Sequence, residues 1–332
     1  MMIVRYARRL AVVGVLLFVA IGLTGCDKVR ADKDLIEVPN TGRTFDSAET
    51  RSRQELAAMG VDYSTQIVVP GAPEHGASAV TVSVWVLDPA PHASGLPAQP
   101  SATIFLIHDR FGDKSDMLEH ARALADSGYR VILTDSRGHG RTHGQWATYG
   151  LAESIDMKNV LTHLAHQGQI VGEVGVYGRS YGGATALHWA AADKRIRAVI
   201  CVSTFTSVRN TMEEQKYKLL QKLDQLLRKP SNDAVLHATG QHAGFDPYRA
   251  DNVEQIQRVT VPVLLIHGAE DDRYPLEHGR ALAESTDAPF KMITIPEADE
   301  DSIYEDHAEE LRTVSGIWFT RWLTDRGMLV EN

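Results

Sequence analysis

The 332-residue sequence is poor in cysteine and in basic side chains. It has two cysteines, and 34 basic residues against 43 acidic ones give a formal net charge of −9. A chain this acidic is a poor partner for nucleic acid or for anionic lipid. His139 and His143 are four residues apart, but no carboxylate or cysteine stands near them at metal-site spacing. We therefore expect no nucleic-acid partner, no metal site and no cofactor.

The N-terminus has the pattern of an export signal. A mostly apolar run over residues 10–23 follows three arginines, and it is too short for a comfortable membrane span. The run ends in L-T-G-C at 23–26, which resembles the lipobox of bacterial lipoproteins. The resemblance implies a signal peptide over 1–25 and a lipidated Cys26. An ordinary signal peptide or an anchor helix is the alternative.

Lipidation of Cys26 would have consequences for the rest of the chain. Cys201 would be the one thiol left, so no intrachain disulfide would form, and its apolar surroundings predict a buried small hydrophobe. Loss of residues 1–25 removes three arginines and no acid, which changes the net charge from −9 to −12. We expect a protein of the bacterial cell envelope that faces the extracytoplasmic side, with 26–59 as lipidated cysteine and polar tether.

The hydrophobic pattern beyond residue 60 predicts an α/β fold. Two β-branched runs, at 65–69 and 80–87, alternate partially, as an antiparallel edge pair would. From residue 103 short, continuous apolar runs alternate with helical stretches, a pattern typical of strands buried on both faces. The order predicts a mostly parallel sheet flanked by helices, in a domain over 60–328. A polar-apolar helical segment at about 205–258 interrupts the alternation and is predicted to be a small cap.

The strongest local signal is V-Y-G-R-S-Y-G-G at 176–183, which contains Gly-x-Ser-x-Gly. It follows a buried strand and opens a predicted helix, which is the context that the motif requires. The turn is so sharp that side chains at Gly178 and Gly182 would collide with neighbouring backbone. Ser180 would then stand above the sheet edge, beside a helix N-terminus whose N–H groups favour negative charge.

Around this motif the sequence resembles the α/β-hydrolase family over nearly all of residues 60–325. I-F-L-I-H-D-R-F-G at 104–112 is similar to the family's strand and oxyanion loop, although Asp109 replaces the usual glycine. The same residues are similar to the dienelactone-hydrolase branch, and a serine aminopeptidase-like branch is the other candidate.

Two further stretches carry the resemblance. T-D-S-R-G-H-G-R-T at 134–142 is similar to the family's Asp-x-Arg-Gly-His-Gly turn. L-I-H-G-A-E-D-D-R-Y-P at 265–275 is similar to its Gly-x-x-Asp-x-x-Val-Pro segment, with Tyr274 in place of valine. The resemblance implies a serine hydrolase that acts on an ester or amide bond of a small-molecule or peptide substrate.

The resemblance also implies roles for single residues. Ser180 would be the nucleophile, and the main-chain N–H groups of Tyr181 and Arg110 would form the oxyanion hole. Asp271 would be the acid, with Asp272 the less favoured choice. The chain order of the family then requires a histidine after the last strand.

The position where the family has its histidine holds Glu300, and the next histidine is His307. Three hypotheses follow. His307 would be the base, at a helix start whose dipole lowers the imidazole pKa. Glu300 would be an unconventional base, with its pKa raised by neighbouring carboxylates. Otherwise the site is inactive and the protein is a non-catalytic binding lipoprotein.

Overall fold

The computed structural model describes part of the chain, namely residues 35–40, 51–91, 98–211 and 232–325. The predicted signal peptide and Cys26 lie outside these residues, as does the amphipathic stretch at 212–228 of the predicted cap. None of the helices in the described ranges is both long enough and apolar enough to cross a membrane.

The described residues fold around one sheet of eight strands: β1 (Tyr63–Val69), β2 (Val80–Leu87), β3 (Thr103–Ile107), β4 (Arg130–Thr134), β5 (Val174–Arg179), β6 (Ile196–Val202), β7 (Val263–Gly268) and β8 (Phe290–Ile295). Their order in the sheet is β1-β2-β4-β3-β5-β6-β7-β8. The pairs β1–β2 and β2–β4 are antiparallel, and the other pairs are parallel. The predicted antiparallel edge and mostly parallel sheet are confirmed.

Helices cover the sheet: α1 (Arg53–Ala58), α2 (Leu118–Asp126), α3 (Leu151–His166), α4 (Tyr181–Ala192), α5 (Asn232–Ala243), α6 (Asn252–Arg258), α7 (Glu277–Glu284), α8 (Ser302–Glu305) and α9 (Ala308–Phe319). Short 3₁₀ turns lie at Pro73–His75, Lys114–Met117 and Pro247–Arg249, and a π turn at Thr320–Thr324 follows α9.

The central strands are buried on both faces because helices pack on each side. In β3, Phe105 and Ile107 face one hydrophobic cluster, and the Phe105 ring meets Trp189 of α4 edge-on at 5.0 Å. Ile104 and Leu106 face the other cluster. Since the parallel strands all point one way, the loops after β3, β5, β6, β7 and β8 meet at one edge of the sheet.

The predicted cap at 205–258 divides into two parts where the structure describes it. Val235 and Leu236 of α5 are buried in a cluster with the aromatic rings of Tyr149 and Phe205. By contrast, α6 packs against α4, and its Ile256 lies in the core among strand side chains. The last part of the predicted cap is therefore a helix of the layer that covers the sheet.

The predicted tether at 26–59 is not a polar linker throughout. Residues 35–40, which we call the strap, lie against the domain with Ile36 and Val38 buried. The N–H of Ala147 donates to the Ile36 carbonyl at 2.9 Å. Buried Ile36 and Val38 alternate with exposed Glu37 and Pro39, and the burial of the two apolar side chains fixes the strap to the surface. Farther along the same stretch, α1 buries Leu56 in the main core.

Candidate active site

Ser180 lies at the sharp junction between β5 and α4, with φ 52° and ψ −109°. A residue with a side chain is strained in this region, so the surroundings must impose the conformation. They do so through backbone: a Cβ at Gly178 would lie 2.2 Å from the Gly182 carbonyl oxygen, and one at Gly182 would lie 2.2 Å from that of Ile107. The N–H of Ser180 donates to the Val202 carbonyl at 2.8 Å. The predicted steric role of both glycines is confirmed.

The loop after β3 meets the start of α4 beside Ser180. It contains Arg110, and α4 begins with Tyr181, so the two predicted oxyanion-hole residues come from adjoining elements. Asp109 stabilises the loop, because its Oδ1 accepts two N–H groups of the loop at 2.8 and 2.9 Å. Its Oδ2 lies 3.3 Å from Nε of Arg179, the residue before Ser180. The oxyanion hole itself stays a prediction.

Histidines behind this loop are structural. The ring of His139 lies between two main-chain carbonyls, those of Arg137 at 2.8 Å and Arg110 at 2.5 Å. Burial lowers the pKa of His139 to about 4, and the contacts with the two carbonyls oppose this shift. His108 accepts the N–H of Ser136 at 3.0 Å.

The predicted acid, Asp271, is 4% exposed and follows β7. Its Oδ1 accepts the main-chain N–H groups of Arg273 at 3.1 Å and Tyr274 at 2.8 Å. Its Oδ2 is buried and accepts no hydrogen bond from any residue that the structure describes. Burial raises the pKa of Asp271. A free acceptor here suits the ring N–H that a family histidine would supply.

The loop after β8 is held against the loop after β7 by backbone contacts. Glu270 donates its N–H to the Ala298 carbonyl at 2.9 Å, and Ala269 donates to that of Ile295 at 2.9 Å. A Cβ at Gly268 would come within 2.2 Å of the Ala298 oxygen. These contacts fix residue 300 two positions farther on, beside the acid.

Glu300 is 7% exposed and forms an ion pair with Arg273. Its pKa is raised to about 8, first by burial and then by the negative charges of Asp271, Asp301 and Asp109, while Arg273 opposes the shift. Burial favours the protonated form of this carboxyl, and Arg273 binds its ionised form, so the group can exchange a proton near neutral pH. A group that exchanges a proton in this range meets the first requirement of a general base.

His307 caps the start of α9, and its ring faces along that helix. Nδ1 lies 3.6 Å from the Glu310 carboxylate, and the His307 carbonyl accepts the N–H of Leu311 at 3.0 Å. Its side chain is 30% exposed. The contacts among the described residues therefore give no link between His307 and Ser180, and its role as base stays a prediction.

Tyr274 is the site residue that the sequence analysis left without a role. Its phenol is close enough to the Ser180 side chain for that serine to oppose the rise in the Tyr274 pKa. The buried ring packs on Phe205 with 5.2 Å between centroids. Burial, and then the charge of Glu300, raise the Tyr274 pKa above its ordinary value. The one signal in the sequence was its departure from the valine of the family pattern.

The strap is hydrogen-bonded to residues that lie near the predicted site. Tyr149 donates its hydroxyl to the Leu35 carbonyl at 2.5 Å, and Arg110 donates Nη2 to that of Glu37 at 3.2 Å. Tyr149 in turn meets the ring of Tyr181 at 5.7 Å. The strap therefore connects to the residue that follows Ser180, and Ser180 itself is only 2% exposed.

The described residues give little support for a second nucleophile or for a metal site. Cys201 is buried, its Sγ lies 3.6 Å from the Gly183 carbonyl, and burial raises its pKa. The prediction of a small buried hydrophobe is confirmed. No group of three or more His, Cys, Asp or Glu side chains in the described ranges could hold a metal ion.

Solved structures share this arrangement of sheet, helices and strand-end loops. An esterase of Pyrococcus furiosus, Pf2001, superposes with a TM-score of 0.62 at 16% identity, over 86% of this chain and 99% of that one. An acylaminoacyl peptidase of Pyrococcus horikoshii does so with a TM-score of 0.58 at 14% identity, over 82% and 43% of the two chains. The protein has the α/β-hydrolase fold. The predicted fold class is confirmed.

Sequence comparisons agree with the α/β-hydrolase fold. Residues 75–227 match the family described as X-Pro dipeptidyl-peptidase (S15 family). The YqkD protein of Bacillus subtilis is 26% identical over 281 residues, which cover 83% of this chain and 82% of that protein.

Proposed function

We propose that this α/β-hydrolase-fold protein is a serine hydrolase that cleaves an ester or amide bond through an acyl-enzyme on Ser180. The conformation of Ser180 carries the proposal. Strain of this kind costs about 1–3 kcal/mol and persists where the surroundings impose it, most often at functional sites. The similarity to esterases and peptidases in fold, and to the S15 family in sequence, supports the same class of reaction.

In the proposed reaction, Ser180 Oγ attacks the substrate carbonyl and the N–H groups of Tyr181 and Arg110 stabilise the negative oxygen. The serine proton must leave as the bond to carbon forms. Of the two predicted bases, Glu300 is favoured because it is buried beside Asp271, whereas His307 contacts its own helix. Water then releases the acyl group by the same route in reverse.

A non-catalytic binding protein is the second candidate. The observation that favours it is the Arg273–Glu300 ion pair, which occupies the position of the family histidine. In that case the same edge of the sheet would hold a small molecule or peptide without cleaving it.

A fluorophosphonate probe distinguishes the two candidates because it reacts with an activated serine. We expect purified residues 27–332 to be labelled, and Ser180→Ala to lose the label. Ser315→Ala is the matched control: this buried serine lies outside the motif and donates to the Leu311 carbonyl within α9, so its loss should leave labelling intact. An unlabelled wild-type protein would favour the binding protein.

We also propose, from the N-terminal sequence, that Cys26 carries lipid and holds the protein on the extracytoplasmic side of a bacterial membrane. Incorporation of labelled palmitate into wild type but not into Cys26→Ser is the expected result. Equal incorporation would place the lipid elsewhere.

A further inference from the structure

We propose that the strap holds the two predicted oxyanion-hole residues in place, by accepting hydrogen bonds from the side chains of Arg110 and Tyr149. The inference rests on the proposed function, since it concerns the groups that would stabilise the negative oxygen when Ser180 reacts. It gives a positioning role to a segment that the sequence predicted to be part of a polar tether.

The strap is bound along both edges of its backbone. On one edge the Ile36 carbonyl accepts the N–H of Ala147 at 2.9 Å, and Glu37 faces Trp146 in an antiparallel bridge. On the other edge the carbonyls of Leu35 and Glu37 accept hydrogen bonds from side chains. Carbonyls of alternate residues in an extended chain point to the same edge. The strap can therefore bind a loop with one edge and two side chains with the other.

Arg110 is the first residue that the strap holds, and its main-chain N–H is one of the two predicted oxyanion donors. Its Nη2 donates to the Glu37 carbonyl at 3.2 Å. Its own carbonyl lies 2.5 Å from Nε2 of the buried His139. Arg110 is thus fixed both at its main chain and at the end of its side chain, so a reorientation of its N–H would disturb one of these contacts.

Tyr149 connects the strap to the second predicted donor. Its hydroxyl donates to the Leu35 carbonyl at 2.5 Å, and its ring meets the ring of Tyr181 edge-on at 5.7 Å. The Arg110 guanidinium lies over the same Tyr149 ring at 5.5 Å. Tyr149 has a φ of 55°, a strained conformation that persists where the surroundings impose it. The contacts of its ring and hydroxyl therefore hold a strained residue in one position.

The apolar contacts of the strap belong to the site and not to the core of the sheet. Ile36 is fully buried in the cluster that contains Tyr181, Phe205 and Tyr274. Among the residues that the structure describes, the two large clusters on the faces of the sheet include no strap residue. Release of the strap should therefore disturb the site while the sheet stays folded.

The test binds and releases the strap within a single protein. Glu37 and Trp146 face each other in the bridge, and Cα atoms of such a pair are about 4.5–5.5 Å apart, within the span of a disulfide. The full chain with Glu37→Cys, Trp146→Cys and Ile36→Ser has a strap that lacks its buried apolar side chain and can be tied by oxidation. Fluorophosphonate labelling of Ser180 is measured over a range of probe concentrations, before and after reduction.

We expect the oxidised triple variant to label at about the wild-type maximal rate. After reduction the maximal rate should fall by about 10-fold to 10²-fold, because small misplacements of site groups carry losses of this size. The probe concentration that gives half the maximal rate should change by less than about twofold, since an oxyanion hole acts on the transition state and not on initial binding. The single variants Glu37→Cys and Trp146→Cys are the controls, and oxidation should leave their rates unchanged.

A second variant tests the same contact without altering the strap. Tyr149→Phe removes the hydroxyl that donates to Leu35 and keeps the ring on Tyr181. We expect its maximal labelling rate to fall by about threefold to tenfold, the size of one lost hydrogen bond. Tyr129→Phe is the matched control, because that buried hydroxyl contacts Thr320 Oγ1 and no strap residue.

Equal rates for the oxidised and reduced triple variant would overturn the positioning role. A faster reduced form would overturn it as well, because the strap would then obstruct the site. If circular dichroism shows that the reduced triple variant unfolds, Tyr149→Phe decides, and a wild-type rate in that variant overturns the inference. Wild-type protein labelled no faster than Ser180→Ala would overturn the proposed function, and the inference with it.

Discussion

Different groups determine the structure of the turn at Ser180 and of the loop after β8, where the family has its base. Between β5 and α4, backbone atoms determine the geometry: glycine Cα atoms lie so close to carbonyl oxygens that no side chain fits. After β8, the backbone fixes only where residue 300 lies, and charged side chains determine its chemistry. The first region matches the family pattern in every position that matters to its shape, whereas the second departs from it.

The difference shows which part of such a site can change while the fold persists. A change at Gly178 or Gly182 must move backbone, which disturbs β3, β5 and α4 together. A change at residue 300 alters a pKa and an ion pair at the rim of the same sheet. A residue other than histidine at position 300 is therefore compatible with the fold and with the turn at Ser180.

The largest effect is expected when position 300 receives the histidine of the family pattern, because the loop after β8 would then match that pattern as well. Glu300→His should place an imidazole beside Asp271, whose buried Oδ2 lacks a donor in the described structure. We expect fluorophosphonate labelling of Ser180 to rise by about 10²-fold or more at pH 7, within the range for a positioned general base. The rate constants of the two proteins provide the measurement.

The control for that gain is Glu300→His combined with Asp271→Asn, which removes the acceptor for the ring. The gain should then largely disappear. A Glu300→His protein that labels at the wild-type rate would show that residue 300 does not reach the nucleophile.

A smaller effect concerns stability. Glu300 has a pKa of about 8 when folded and an ordinary value of 4.5, so the folded state binds the extra proton between these pH values. Stability from this group is present at low pH and falls as pH rises from about 4.5 to 8, by about 1.4 kcal/mol per pKa unit. Glu300→Gln should therefore lose less free energy of unfolding between pH 5 and 9 than wild type does.

Urea unfolding at several pH values measures this difference. The slopes with pH are compared, not the absolute stabilities, because the Glu300→Gln substitution also removes the charged partner of Arg273. Parallel slopes for the two proteins would mean that the buried carboxyl keeps its ordinary pKa.

The smallest expected effect is that of His307→Ala. Since the ring faces Glu310 on its own helix, we expect labelling of Ser180 to change by less than about twofold. A loss comparable to that of Ser180→Ala would instead make His307 the base, supplied after a movement of the α8–α9 loop.

Much of the fold could be predicted because its signals are local. Apolar runs gave the parallel strands, and Gly-x-Ser-x-Gly at a strand–helix junction gave the turn at Ser180. The position of the Tyr274 ring could not be predicted, because it depends on the loop path from Asp271 and on the packing of Phe205, which is far away in sequence. The pKa of Glu300 likewise depends on burial and on three carboxylates from different loops.

The strap could not be predicted from sequence patterns either. A six-residue segment has too few positions for a periodic signal, and its partners Ala147, Tyr149 and Arg110 are more than 70 residues away. The charged and polar residues around the strap predicted a linker. In the structure, the burial of Ile36 and Val38 instead holds the segment against the domain.

The strap also limits how far the domain could lie from a lipid on Cys26. If Cys26 is lipidated, residues 27–34 are all the chain that separates the lipid from a segment packed on the domain. Eight residues reach at most about 29 Å at roughly 3.6 Å each. The edge of the protein that carries Arg110 and Tyr149 would then stay within one small-domain diameter of the bilayer, and substrates would meet it at the membrane surface, not in bulk solution.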